Sequence, residues 1–148
     1  GIGYGAVILA AAKEMSSIEN YPETASLDPS DAEDYYIRGN RYSHLGEHEK
    51  ALQDYDEAIR LDPNHSLAYF VRGVAYHHSG EYKKAIEDST ESIRLNPNYA
   101  NAYVSRGVSY HMLGEYEKAL QNYDEAIRLN PVGKLAIKNR ELTLAKMN

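Results

Sequence analysis

Along residues 32–133, apolar and small side chains return every three or four positions, the spacing that lines one face of a helix. After Asp31 they are Tyr35, Gly39 and Tyr42; after Glu47 they are Ala51, Tyr55 and Ala58. Gly46 separates the two stretches and suits the left-handed turn that ends a helix. Pro63 follows the second stretch and stops it. The pattern therefore predicts a helix, a tight turn, a second helix and a proline-marked break.

The same pattern recurs. Prolines stand at 29, 63, 97 and 131, each preceded by Leu–Asp or Leu–Asn, which sets a period of 34 residues. Three units follow: Ala32–His65, Ser66–Tyr99 and Ala100–Gly133. The first and third agree at 21 of 34 positions, too many for coincidence. The copies of the first helix use Tyr69, Gly73, Tyr76 and Tyr103, Gly107, Tyr110; the turns fall at Gly80 and Gly114. A helical glycine costs about 1 kcal/mol relative to alanine, so its repetition predicts a close helix–helix contact. The second helix repeats as Ala119, Tyr123, Ala126, but the middle copy reads Ala85, Ser89, Ser92 and should pack smaller and more polar.

This pattern resembles the tetratricopeptide repeat family, in which an aromatic, a small residue, a second aromatic, Ala, aromatic, Ala and Pro follow one another every 34 residues. The resemblance covers residues 32–133. It implies an all-α fold, a right-handed superhelical solenoid of antiparallel helix pairs. Residues 134–148 continue as a helix, with Ile137 and Leu144 in the tyrosine places and Glu141 in the glycine place. That polar change suits a terminal cap.

Residues 1–30 differ in character. Ile2–Ala12 is apolar, too short to span a bilayer, and lacks the basic start of a signal peptide. Beginning with glycine, the chain reads as a fragment or as carrying a tag remnant. The apolar segment reads as an anchor remnant, a helix packed on the first unit, or a plug for a groove. Ser16–Ser30, polar and acidic with Pro22 and Pro29, reads as a linker.

The resemblance implies a concave groove lined by the first helices. Its places here are Glu33, Tyr36, Ile37, Asn40, Ser43, His44; then Leu67, Phe70, Val71, Val74, His77, His78; then Asn101, Val104, Ser105, Val108, His111, Met112. Comparing copies within the chain supports that face. Leu45–Pro63 and Leu113–Pro131 differ at three of 19 positions, whereas the first helices diverge, largely at these places. Tyr36, Ile37, Phe70, Val71, Val74, Val104, Val108 and Met112 are expected to form a continuous apolar floor for an amphipathic helix or an apolar peptide.

One variant of the family clamps a terminal carboxylate with two Asn, two Lys and an Arg. Of those places only Asn40 matches; the others hold Tyr36, Val71, Asn101 and Ser105. With no basic residue left, that mode of recognition is disfavoured. The expected partner is thus another protein or an apolar peptide, with self-association through Ile2–Ala12 or the array ends as the alternative.

Other chemistry is thin. The net charge of −6 argues against a nucleic-acid partner. Without cysteine there is no disulfide or thiolate metal site. His44, His77, His78 and His111 share the groove face, but no fixed carboxylate or fourth-ligand spacing accompanies them, so they read as lining, with zinc or copper as the lesser alternative. No cofactor is expected, and no nucleophile motif or phosphate loop gives an enzyme a place to start. Arg38, Arg72 and Arg106 recur with the packing residues and read as half-buried stems whose heads meet Asp54, Asp88 or a carbonyl. Lys50–Asp54, Asp56–Arg60 and Asp124–Arg128 have the spacing of surface ion pairs.

Overall fold

The structure is a computed structural model that describes residues 29–148. Ile2–Ala12 and nearly all of Ser16–Ser30 lie outside the described residues. Seven helices and no strand occur among those described: α1 Ala32–His44, α2 His48–Leu61, α3 Ser66–His78, α4 Tyr82–Leu95, α5 Ala100–Met112, α6 Tyr116–Leu129 and α7 Lys134–Met147. The odd-numbered helices begin 34 residues apart. None of the seven is long and apolar enough to cross a membrane.

Each first helix ends in one way. Gly46, Gly80 and Gly114 take φ of 78–79°, and Glu47, Glu81 and Glu115 donate backwards to the carbonyls of Tyr42, Tyr76 and Tyr110 at 2.9 Å. A glycine pays no Cβ penalty in that left-handed conformation. Asp31 caps α1, its carboxylate accepting from Asp34 N at 2.8 Å. His65 caps α3 through Nδ1, which accepts from Ala68 N at 3.1 Å.

The helices pack as successive pairs, each also touching the next, and consecutive odd-numbered helices meet along one side. Ala51, Ala58, Ala68, Ala85, Ala102, Ala119 and Ala126 are buried at the crossings. The close contact expected at the helical glycines is clear in two units. A Cβ on Gly39 would lie 2.6 Å from the Tyr55 ring, and one on Gly107 would lie 2.6 Å from the Tyr123 ring. The middle unit is looser. A Cβ on Gly73 would meet nothing nearer than 3.2 Å, because Ser89 stands where the tyrosines do.

The arginines behave as half-buried stems with paired heads. Arg38 donates to both Asp54 carboxylate oxygens at 2.7 and 2.8 Å, and Arg72 donates to those of Asp88 at 2.8 and 2.9 Å. In the third unit Asn122 replaces the acid and accepts from Arg106 Nε at 2.7 Å. Tyrosine rings lie beside each guanidinium, two for Arg38 and Arg72 and Tyr103 for Arg106; Tyr35 and Tyr42 have centroids 5.6 and 5.7 Å from Arg38 Cζ.

The three expected surface pairs are re-partnered. Asp54 is taken by Arg38 across the helix pair, and Lys50 meets Glu47 at 3.3 Å instead. Arg60 pairs with Glu57 and Arg128 with Glu125, each one turn away. That frees Asp56 and Asp124 to reach the next unit, where Arg72 and Arg140 bind them at 2.9 and 2.8 Å. Asp56 and Asp124 stay largely exposed in these pairs, each of which contributes at most about 1 kcal/mol.

Candidate functional site

The side formed by α1, α3 and α5 carries the residues expected in the groove. The structure divides them into two layers. Ile37, Leu67, Val71, His78 and Asn101 are half-buried; His44 and Met112 are exposed. Tyr36, Asn40, Phe70, Val74, His77, Val104, Ser105, Val108 and His111 are buried. The continuous exposed floor expected from the sequence is therefore broken: five of its eight members, Tyr36, Phe70, Val74, Val104 and Val108, belong to the core clusters.

Packing of each unit's end against its own first helix accounts for part of this. The last residue of a unit lies against the fifth residue of that unit's first helix. The His65 ring lies 4.8 Å from that of Tyr36, centroid to centroid, and the Tyr99 ring lies 5.0 Å from that of Phe70 in an edge-on contact. His65 is further fixed by Glu33, whose carboxylate accepts from Nε2 at 2.9 Å. Sequence reasoning missed His65 and Tyr99, because they fall in the inter-unit turn. Their signal was the unit-ending column itself, which reads His65, Tyr99, Gly133.

Two predicted lining residues are structural links. His77 Nδ1 lies 3.0 Å from Ser109 Oγ, and His111 Nδ1 lies 2.9 Å from Thr143 Oγ1. Each bond joins one first helix to the next. Burial lowers the His77 imidazole to about 4, with the charge of His78 adding to the effect. Burial also lowers His78 and His111. Asn40 Oδ1 accepts from Tyr55 Oη at 2.8 Å, which ties it to α2. Among the described residues no three His, Cys, Asp or Glu side chains are grouped to hold a metal ion.

In the third unit the ring contact is missing, since Val104 and Gly133 occupy the two places. A cavity of about 480 Å³ opens beside them. Ala126 and Ala136 wall it, and Asn101, Asn130 and Lys134 also border it.

A tetratricopeptide repeat model matches residues 100–131, and a TPR repeat model matches residues 39–80 and 75–114. No curated protein sequence matches significantly. Solved structures do. The second TPR domain of the human RPAP3 protein, in complex with HSP70 peptide SGPTIEEVD, is 28% identical with a TM-score of 0.71, over 76% of this chain and 97% of that one. The second TPR of Spaghetti (RPAP3), bound to HSP90 peptide SRMEEVD, is 29% identical with a TM-score of 0.67, over 68% and 94%. The Arabidopsis OM64 TPR domain is 25% identical with a TM-score of 0.74, over 76% and 93%.

Proposed function

Since the chain belongs to the tetratricopeptide repeat family, an all-α helical solenoid, we propose that it is a scaffold or adaptor that holds another polypeptide against the side formed by α1, α3 and α5. The observation that carries this reading is the incompletely covered apolar set on three successive first helices: Ile37, Leu67 and Val71 half-buried, and Met112 38% exposed. Water contact at such a set is unfavourable by about 25 cal/mol per Å² of apolar surface, and a partner removes it.

The bound peptides of the two RPAP3 structures both end in Glu-Glu-Val-Asp. In this chain the places that resemble the carboxylate clamp hold Tyr36, Val71, Asn101 and Ser105 beside Asn40. None carries positive charge, and Tyr36, Ser105 and Asn40 are buried. Recognition here accordingly rests on apolar contact, and the ligand is an apolar peptide or the apolar face of an amphipathic helix.

The test replaces Val71 and Met112 together by Asp. Met112 is exposed and Val71 is half-buried against both core clusters; with far-UV circular dichroism showing the helices kept, proteins retained by the immobilised chain should fall at least tenfold. Undiminished retention would sink the placement. Calorimetry with the peptide SRMEEVD should show no binding at micromolar concentrations; tight binding would overturn the apolar reading.

A further inference from the structure

We propose that the cavity beside Val104 and Gly133 is an anchor site for one aromatic side chain of the bound polypeptide, with Lys134 drawing an adjacent carboxylate. The inference deepens the polypeptide-holding reading and rests on it. Its basis is a missing element in a repeating set. In the first two units a pair of rings closes this junction, Tyr36 with His65 and Phe70 with Tyr99, at 4.8 and 5.0 Å between centroids. In the third unit neither ring exists, because the chain places a branched aliphatic residue and a glycine there.

The fold does not collapse to fill the gap. α5, α6 and α7 keep the packing order of the earlier helices, and a cavity of about 480 Å³ is left between them. That volume falls within the roughly 300–1,000 Å³ of small-ligand pockets. Val104, Ala126 and Ala136 form the buried base of the cavity, and the exposed Val132 with the half-buried Leu135 forms its apolar rim. The small side chains of the base leave room for a flat ring, the rim adds apolar contact at the mouth, and polar groups share the lining.

The polar border favours a particular neighbour for that ring. Lys134 is exposed and takes part in no salt bridge among the described residues. Asn101 and Asn130 bring amide groups to the same cavity. A phenol hydroxyl or a peptide group can bond to the amides, and a carboxylate can approach the ammonium. Tyrosine or phenylalanine beside an acidic residue, or at a chain end, fits this combination. Asn101 and Val104 also belong to the expected groove face, so the cavity continues the surface proposed to hold the partner.

The full chain, labelled with nitrogen-15, is titrated with N-acetyltyrosine, N-acetyltyrosine amide and N-acetylleucine. The expected result is millimolar binding of both tyrosine compounds, with shifts at Asn101, Val104, Gly133 and Lys134. The acid should bind about threefold more tightly than the amide, in line with one exposed ion pair. Lys134→Gln should erase that threefold difference and leave the amide's binding intact. Val104→Phe copies the second unit; it should raise the melting temperature and abolish the shifts. Equal binding of N-acetylleucine, or shifts that persist in Val104→Phe, would overturn the anchor site. So would the absence of shifts with either tyrosine compound. Protein retention by the immobilised chain separates the two readings. If retention depends on Val71 and Met112 while the tyrosine compounds fail, only the anchor site falls.

Discussion

A methyl group on Gly107 would sit 2.6 Å from Tyr123 Cε1 and 3.2 Å from the Ala119 carbonyl oxygen. The ring belongs to a fully buried tyrosine and cannot step aside without displacing the core. Alanine gains about 1 kcal/mol over glycine in a helix, but overpacking costs about 1–3 kcal/mol. Gly107→Ala should therefore destabilise the chain by up to about 2 kcal/mol. Gly73→Ala should cost less, because its neighbours begin at 3.2 Å, a tight contact that a small shift relieves, and the ring is replaced by Ser89. Urea midpoints at unchanged m-value would show the difference; equal midpoints would disprove it. The glycine column was legible in the sequence, and so was the smaller packing of the middle unit. The loss at Ser89 was not legible: its buried hydroxyl has no hydrogen-bond partner among the described residues. Burying such a group costs about 1–3 kcal/mol.

At the scale of helices, the repeating arginine is a cross-brace. Removing Arg72 by alanine strands Asp88, a carboxylate only 5% exposed, and should cost about 3–5 kcal/mol. Asp54→Asn should cost about 1 kcal/mol, because Asn122 already serves Arg106 in the third unit. Thermal melts of the two variants decide the matter; equal losses would mean the brace is not electrostatic. Helix existence and order followed directly from glycine and proline punctuation. The pairing of Arg38 with Asp54 and of Arg72 with Asp88 followed from the arginines recurring with the packing residues. The surface pairs did not follow, because spacing along one helix ignores the acids' access to the next unit. The exposed floor failed for a related reason. A period fixes which face of a helix a residue occupies, not how deep a neighbouring unit buries that face. Phe70 and Val108 have the same apolar character as Val71, yet only Val71 retains access.

Over the whole molecule, His77 and His111 join the first helices into one continuous array, from α3 to α5 and from α5 to α7. Unfolded, a histidine titrates near 6.5; in the fold, burial brings His77 to about 4. Between those values the unfolded chain binds the proton first, so stability falls as the solution is acidified. The contribution is complete above pH 6.5 and is lost progressively down to about pH 4, reaching about 3 kcal/mol for His77. His111, lowered by burial and by the charge of Lys146, acts in the same direction. The melting temperature should fall between pH 7 and 4.5, and replacing both histidines by leucine should reduce that slope, leaving the smaller part that His78 contributes. A slope unchanged in the double variant would remove the histidines as its cause. The near-identity of Leu45–Pro63 and Leu113–Pro131 has a different consequence, and it concerns the route to the fold. α2 and α6 carry the same tyrosine plug, and α1 and α5 the same glycine socket. A folding chain can thus seat a plug in the wrong socket, within itself or with a neighbour, at almost no loss in that contact. Short connections between paired helices favour the correct match kinetically. The middle unit, with serine in place of the plug, keeps the two interchangeable halves apart.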